Sequence, residues 1–402
     1  MKPSTQNFDN PFKPGAGHMP PYLAGRKEEE EEFRKLLKQK TILQNLILTG
    51  LRGVGKTVLL ETFKPIAIKE GWLWVGTDLS ESASVSEENL AIRILTDLAV
   101  ATCTMTVALD DSSKVGFVQD KTQTKQPMSY AMLYGLYRET PGLISDKIKG
   151  VLEFVWNELS KLGRRGIVFA YDEAQNLSDL AVKEQYPLSM LLDVFQSIQR
   201  KNIPFMLALT GLPTLFPKLV DSRTYSERMF HVVVSNPLTE PDSRDAIQIP
   251  ITAAGCPVSF NDVSVKTIYN ISGGYPYFIQ FICKEVYDIW VQNPKITVPV
   301  NELVRKLDSD FFAGRWARAT DRERDLLFIV AGLQNCDAEF TVQEIVIRSK
   351  AAQPKPFSSS HVNQMLNSLI EAGLVYRNRY GKYSFAVPLL GQFIRRQAEH
   401  AA

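Results

Sequence analysis

Gly50-Leu51-Arg52-Gly53-Val54-Gly55-Lys56-Thr57 follows the apolar run 46–48 and matches the pattern G-x-x-x-x-G-K-[ST]. Glycines in this pattern let backbone N–H groups turn inward around phosphates, the lysine brings a positive charge, and the threonine hydroxyl suits Mg²⁺. A strand-like run before the pattern and a helix after it therefore predict a loop that binds ATP or ADP with Mg²⁺. The predicted nucleotide-binding residues of this loop are Gly50, Leu51, Arg52, Gly53, Val54, Gly55, Lys56, Thr57 and Val58.

A second motif is the apolar run 166–171, which ends in Asp172 and Glu173. In phosphate-loop enzymes the first acid holds the metal, and a neighbouring glutamate can polarise the attacking water. A buried strand that ends in an acidic helix cap would look similar on its own. Together with the loop, the acids predict ATP hydrolysis, with Thr57 and Asp172 as Mg²⁺ ligands, Glu173 orienting the water and Lys56 stabilising the developing charge.

Thr210 ends a third apolar run, 203–210, at the end of a strand where open α/β sheets bind their ligands. Its hydroxyl could sense the γ-phosphate through a bound water, or it could cap a helix that begins near Pro213. Both interpretations remain open from the sequence.

The bulk composition is that of an ordinary globular protein. The chain has 402 residues, 45% of them hydrophobic and 22% charged, which is enough for two or three domains with separate cores. Its net charge of +2 creates no strong overall field. Binding to nucleic acid or to acidic lipid would therefore need a local basic patch.

The cysteines and histidines show no metal or disulfide pattern, because none of them has a C-x-x-C spacing or a recurrent ligand spacing. We therefore expect a reducing, cytoplasmic location, and the absence of a long apolar run predicts no membrane helix. These residues are Cys103, Cys256, Cys283, Cys336, His18, His231, His361 and His400.

The order of patterns predicts a phosphate-loop α/β fold with a parallel sheet, followed by helices and a C-terminal winged helix. Its parts are an extended Pro- and Gly-rich arm at 1–25, a nucleotide-binding α/β domain at 26–238, a helical lid at 239–314 and a winged helix at 315–402. The polar, poorly periodic stretch 108–141 is predicted to be a loop insertion.

This order resembles an AAA+ ATPase of the initiator-like group, which includes origin-recognition proteins and signal-transducing ATPases with numerous domains. The two motifs above match its Walker A and B sequences, and Thr210 falls at its first sensor. The stretch 21–26, ending in Gly25 and Arg26, is similar to the Gly-Arg box that packs near the adenine. The resemblance also implies a nucleotide contact for Tyr275 and Pro276 in the lid motif 272–276.

Arg223 and Arg228 lie where this group carries arginines that reach a nucleotide, often that of a neighbouring subunit. A guanidinium matches the charge of a phosphoryl transition state, so this role would require self-association. Alternatively, both arginines are ordinary surface residues on a helix. One departure from the origin-recognition pattern is the lid motif itself, which has no basic residue near it and favours the signalling branch.

Two partners remain open for the winged helix. Basic residues in the predicted hairpin and before it favour the phosphates of duplex DNA. The helix that would read bases, 358–368, has no Lys or Arg, which favours a protein partner instead. The basic residues are Arg348, Lys350, Lys355, Arg377, Arg379 and Lys382.

Two functions follow from these alternatives. In the first, the chain is an ATPase whose nucleotide cycle is coupled to DNA or partner binding. In the second, it is a nucleotide-gated regulatory switch that hydrolyses little ATP and binds a protein. Turnover and its dependence on DNA distinguish the two.

Overall fold

The computed structural model describes residues 9–15, 17–109, 124–256, 260–292, 298–334, 336–352, 355–379 and 381–401. The chain forms two compact units. The sheet unit comprises Glu28–Thr49 and Leu59–Val234; the helical unit comprises Met1–Lys27, Gly50–Val58 and Ser235–Ala402. The four-part division at 1–25, 26–238, 239–314 and 315–402 stays a prediction.

The described residues form the following elements. The strands are β1 (Asn45–Thr49), β2 (Trp72–Val75), β3 (Thr106–Leu109), β4 (Thr124–Pro127), β5 (Gly166–Tyr171), β6 (Phe205–Gly211), β7 (Phe230–Val234), β8 (Phe340–Thr341), β9 (Val375–Arg379) and β10 (Lys382–Phe385). The helices are α1 (Lys27–Leu37), α2 (Lys56–Lys69), α3 (Glu87–Thr102), α4 (Tyr130–Glu139), α5 (Ile144–Lys161), α6 (Pro187–Arg200), α7 (Leu215–Ser222), α8 (Ser226–Met229), α9 (Glu240–Ala253), α10 (Asp262–Ser272), α11 (Pro276–Gln292), α12 (Val300–Leu307), α13 (Ala313–Trp316), α14 (Asp321–Ala331), α15 (Val342–Ala352), α16 (Ser359–Glu371) and α17 (Leu390–Ala401).

The sheet unit is built on five parallel strands in the order β2-β5-β6-β1-β7. Every residue of β1, β5 and β6 is buried, which explains why these strands are nearly continuous apolar runs. All five strands point the same way, so their carboxyl ends lie at one edge of the sheet. The predicted α/β class with a parallel sheet is confirmed.

Aromatic side chains join the sheet to its helices. The ring of Phe169 on β5 lies 5.0 Å from Phe195 on α6 and 5.6 Å from Phe205 on β6. Helix α5 also buries one face. Its apolar residues recur every three or four positions and therefore lie along the same side of the helix. These α5 residues are Ile148, Val151, Leu152, Val155 and Leu159.

The prediction of a loop over 108–141 was wrong where the structure describes that stretch. Strands β3 and β4 pair antiparallel, with Val107 opposite Gln126. Helix α4 then begins after Ser129, whose hydroxyl accepts from the N–H of Met132. The strand pairing joins residues far apart in sequence, and the short α4 buries few residues, so neither gives a strong periodic signal. Residues 110–123 lie outside the described residues.

The predicted extended arm lies along helix α11 in the helical unit, for those of its residues that the structure describes. The amide of Asn10 donates to the carbonyl of Lys284 at 3.0 Å and to Asp288 at 2.8 Å. The ring of Phe12 is 2% exposed and packs edge-on against Phe260. The arm is therefore part of the core of helices α9 to α12.

The C-terminal part of the helical unit combines helices α14 to α17 with a small sheet in the order β8-β10-β9. Thr320 and Glu323 form a capping box at the start of α14. Phe340, Leu366 and Phe393 come from three different elements and are buried in one core. Three helices followed by a β-hairpin occur in the predicted order.

The hydropathy of the helices bears on membrane insertion. None of the helices in the described ranges is long and apolar enough to span a bilayer.

Candidate functional site

The loop between β1 and α2 has the backbone conformation that its glycines predict. Gly53 and Gly55 have φ angles of 81° and 87°, in the left-handed region where a side chain would be strained. A β-carbon on Gly50 would lie 2.5 Å from the carbonyl oxygen of Ser235. The loop conformation therefore requires glycine at these three positions.

Lys56 is the first residue of α2 and points its ammonium group back over the loop. Its Nζ donates to the carbonyl oxygens of Gly50 and Leu51, each at 3.0 Å. A lysine side chain is flexible and carries three donors. It can therefore exchange carbonyl contacts for phosphate oxygens without moving the helix.

Arg26, the arginine of the predicted Gly-Arg box, holds the backbone around the loop. Its Nη2 donates to the carbonyl of Val54 at 2.8 Å and to that of Asn236 at 2.9 Å. Its side chain is buried. The neighbouring Gly25 has a φ of 61°, and a β-carbon there would lie 2.7 Å from Asp242. The structure thus gives both residues a scaffolding role.

Replacing Arg26 by Ala is expected to destabilise the protein and to weaken ATP binding, because the buried carbonyl of Val54 and the partly buried carbonyl of Asn236 would lose a charged donor. The loss should be about 2 to 4 kcal/mol of unfolding free energy. Urea denaturation followed by circular dichroism measures it. Arg34→Ala is the control, since Arg34 on α1 is partly exposed and its ion pair among the described residues is a 3.9 Å contact with Glu30. Equal stability of the two variants would contradict the role of Arg26.

The predicted lid motif 272–276 forms a tight turn between α10 and α11. Gly274 has a φ of 74°, and a β-carbon on it would lie 2.3 Å from the carbonyl of Leu238. Pro276 begins α11, and the N–H of the next residue, Tyr277, donates to the carbonyl of Gly53 at 3.2 Å. The start of α11 is therefore bonded directly to the phosphate loop.

Tyr275 is the residue of this turn that directly precedes Pro276. Its ring packs against Phe278 and belongs to the core of the C-terminal part. Burial, and then the charge of Asp337, raises the pKa of Tyr275 to about 12. The predicted nucleotide contact of Tyr275 stays a prediction, while its visible contacts are with the C-terminal part.

Asp172 and Glu173 follow β5 at the carboxyl edge of the sheet unit. Asp172 is buried, and its Oδ1 accepts from the N–H of Glu173 at 2.8 Å. Glu173 is exposed, with a left-handed φ of 52°. Burial, and then the charges of Asp172 and Glu173, raises the pKa of Asp78 after β2. Negative charge therefore accumulates at this edge, which suits a cation.

Gln175 joins the acidic pair to the end of β6. Its amide Nε2 donates to the carboxylate of Glu173, and its Oε1 accepts from the N–H of Leu212 at 3.1 Å. The backbone carbonyl of Gln175 accepts a hydrogen bond from the Nζ of Lys218 at 2.6 Å. Gln175 and Asp78 were not among the predicted site residues. Their only signals in the sequence are an amide two residues after Glu173 and an acid shortly after an apolar strand.

Thr210 lies on β6, between β1 and β5, and pairs in register with Leu48. Its hydroxyl is fully buried and has no hydrogen-bond partner among the described residues; the same holds for the hydroxyl of Thr49 at the end of β1. A buried hydroxyl without a partner is costly. Both are therefore suited to a polar ligand or an ordered water at this edge.

Arg223 and Arg228 differ in their surroundings. Arg223 makes a two-point ion pair with Asp193 on α6, at 2.9 and 2.7 Å, and Tyr225 donates to the same carboxylate at 2.6 Å. Burial raises the pKa of Asp193, but these hydrogen bonds outweigh it and hold that pKa below its ordinary value. Arg228 is exposed on the short helix α8.

The acids and hydroxyls of the sheet unit and the loop of the helical unit offer few metal ligands of their own. The described residues contain no group of three or more His, Cys, Asp or Glu side chains arranged to hold a metal. Magnesium in nucleotide sites is usually held by one or two protein groups together with phosphates and waters. Within the helical unit, the glycine loop with Lys56 therefore suits the phosphates of a nucleotide. Within the sheet unit, the acidic end of β5 suits a magnesium ion, and the two orphaned hydroxyls suit a polar ligand.

The C-terminal part of the chain matches one family model, and the whole chain is similar in fold to proteins of solved structure. A family model described as a domain of unknown function (DUF8462) matches residues 309–394. No curated protein matches the chain.

Two proteins of solved structure share the fold at low sequence identity. A Walker-type ATPase of Pyrococcus abyssi is 15% identical, covers 93% of this chain and 96% of its own, and has a TM-score of 0.57. The ORC2 protein of Aeropyrum pernix in its ADP form is 14% identical, covers 98% of this chain and 100% of its own, and has a TM-score of 0.54. The chain therefore shares the fold of these two proteins, and the predicted resemblance to origin-recognition proteins is confirmed at the level of the fold.

Proposed function

We propose that this chain binds ATP and hydrolyses it to ADP and phosphate. The observation that carries the proposal is the loop 50–57, whose glycines take left-handed angles and whose Lys56 reaches over the loop backbone. The ORC2 protein of Aeropyrum pernix has also been solved with ADPNP and ADP. A nucleotide in the same loop of this chain agrees with both observations.

The residues of this chain divide the chemistry between them. Lys56 would neutralise phosphate charge, Thr57 and Asp172 would hold Mg²⁺, and Glu173 would orient the attacking water. When bound, the metal would supply charge stabilisation for the transferred phosphoryl group. Thr210 offers its hydroxyl to the γ-phosphate or to the attacking water. Arg228 from a neighbouring copy stabilises the transition state, so the active form is a self-associated one.

The C-terminal part is the proposed winged helix, and it couples the nucleotide state to a partner. The hydrogen bond from Tyr277 to Gly53 supports this coupling, because it connects the phosphate loop to the lid helix α11. Duplex DNA is one partner to test, on account of the exposed Arg348, Lys350 and Arg377. Yet α16 contains no Lys or Arg, and its exposed residues include Asn363 and Gln364.

A nucleotide-gated switch that binds a protein is the second candidate, and the same surface of α16 favours it. Such a switch would retain nucleotide with little turnover. In this candidate the lid contact to Gly53 would report occupancy, and a partner protein would replace DNA on the C-terminal part.

ATP hydrolysis by the purified protein tests the proposal. Assays at several protein concentrations, with Mg²⁺ or with EDTA, and with or without duplex DNA, separate the candidates. We expect turnover that needs Mg²⁺ and rises more than in proportion to protein concentration, because a neighbouring arginine completes the site. Stimulation by DNA would identify the partner. Bound nucleotide with negligible turnover would support the switch, and no nucleotide binding would refute both candidates.

A further inference from the structure

Arg315 lies on the short helix α13, directly after the π-helical segment Asp308–Phe312. Its Nη1 donates to the carbonyl of Phe311 at 2.6 Å, and its guanidinium carbon lies 4.4 Å from the centre of the Phe311 ring. One edge of the guanidinium is therefore held by the backbone and one face by an aromatic ring. Its other donors have no hydrogen-bond partner among the described residues and keep a fixed orientation.

Two side chains, those of Phe311 and Tyr277, connect this guanidinium to the phosphate loop. The ring of Phe311 lies 5.4 Å from the ring of Tyr277. The N–H of Tyr277 donates to the carbonyl of Gly53 at 3.2 Å, and a β-carbon on Gly53 would lie 3.4 Å from the β-carbon of Tyr277. Phe311 and Tyr277 thus connect Arg315 to the loop through packed side chains, and Arg315 is near enough to Arg52 for their charges to interact.

Three arginines, Arg315, Arg52 and Arg318, bring their positive charges close enough to interact. Burial lowers the pKa of Arg315, and the charges of Arg52 and Arg318 lower it further. Arg52 belongs to the phosphate loop itself. None of the ion pairs that the described part of the chain makes within 4.0 Å involves Arg52, Arg315 or Arg318.

The guanidinium of Arg315 differs from that of Arg396 in having no carboxylate partner among the ion pairs of the described residues. Arg396 on α17, which is buried to a similar degree, has a two-point ion pair with Asp308. Bringing like charges together without a counter-ion costs free energy. The cost is recovered if an anion binds between them, and a phosphate group matches the planar donors of a guanidinium.

We infer that Arg315 and Arg52 form an anion site for the outer phosphates of the nucleotide held by the phosphate loop. This inference rests on the proposed function, since it assigns part of the ligand of that same site. It also supplies a basic contact that the lid motif 272–276 lacks. Because α13 leads into α14, phosphate occupancy would be transmitted to the C-terminal part.

The test uses Arg315→Gln in the full chain. Glutamine keeps a donor for the Phe311 carbonyl but removes the charge. We expect the affinity for ATP to fall about 10- to 100-fold, the loss of one charged hydrogen-bonding group. The affinity for AMP, which lacks the outer phosphates, should stay unchanged. Competition against a fluorescent ATP analogue measures both.

Thermal unfolding without nucleotide separates this role from a structural one. Removing Arg315 relieves the repulsion with Arg52 and Arg318, so the melting temperature without nucleotide should stay equal or rise. Arg52→Gln, at an exposed position, should likewise lose ATP affinity more than AMP affinity. Arg305→Gln is the matched control on α12, where the guanidinium is exposed and bonds only the carbonyl of Asn301 among the contacts given by the structure.

Three results would overturn the inference: unchanged ATP affinity in both Arg315→Gln and Arg52→Gln, an equal loss of ATP and AMP affinity, or a lower melting temperature of Arg315→Gln without nucleotide. Wild-type protein that binds no ATP would refute the proposed function, and the anion site with it. Normal ATP binding by the wild type and by both variants would refute the anion site alone.

Discussion

Glu173→Gln is expected to lower kcat for ATP hydrolysis by about 100- to 10,000-fold, the usual contribution of a positioned general base. ATP affinity should change less than about threefold, because the substitution acts on the chemical step and not on ground-state binding. Glutamine has the same shape, so it can still accept from Gln175 and donate from its backbone to Asp172. The lost property is the negative charge that would orient and deprotonate the water.

The control for this variant is Glu184→Gln. Glu184 is also an exposed glutamate with a left-handed φ of 52°, but it follows a 3₁₀ turn away from strand β5. Single-turnover hydrolysis and ATP binding are measured side by side for both variants. Full activity of Glu173→Gln would exclude Glu173 as the base. Equal loss in Glu184→Gln would indicate a general effect of the charge change.

Arg228→Ala is expected to lower kcat about 1,000-fold or more while ATP binding is kept, since arginine fingers supply effects of this size. Its exposed position on α8 leaves its guanidinium accessible to another copy of the chain. The decisive measurement mixes Arg228→Ala with Glu173→Gln. In a mixed assembly, one subunit offers an intact Glu173 and its neighbour an intact Arg228, so activity should return. No recovery on mixing would contradict a contribution in trans.

Arg223→Ala is the matched comparison, because Arg223 is already paired with Asp193. We expect it to destabilise the sheet unit by about 1 kcal/mol, as for a partly exposed two-point pair. Asp193 has a lowered pKa in the folded chain, so its stabilisation is present above the ordinary Asp pKa and is lost as the pH falls through the lowered value. If Arg223→Ala abolished turnover without changing stability, Arg223 would replace Arg228 as the finger.

The local part of the site could be read from the sequence. The left-handed glycines at 53 and 55, the helix that starts at Lys56 and the acid pair after β5 are each set by neighbouring residues. The burial of β1, β5 and β6 also follows from their uninterrupted apolar runs. Thr210 was placed correctly at the end of a strand, because an apolar run of strand length is a local signal.

Other features were outside the reach of local patterns. The pairing of β3 with β4 and the helix α4 were misread as a loop, because the two strands have four residues each and α4 has only ten, too few for a clear period. Gln175 contacts Leu212, 37 residues away, and Arg223 contacts Asp193, 30 residues away. Each contact depends on which helices and strands pack together, and spacing along the chain carries no information about it.

For this chain, then, the sequence alone determined the phosphate loop, the acidic strand end and the parallel α/β class, because glycine angles and apolar runs act over a few residues. Only the tertiary structure decided which arginine is paired within the chain, which amide holds Glu173, and which guanidinium lies beside the loop. Those choices depend on packing between elements distant in sequence, and a side chain acquires its partner only when that packing forms.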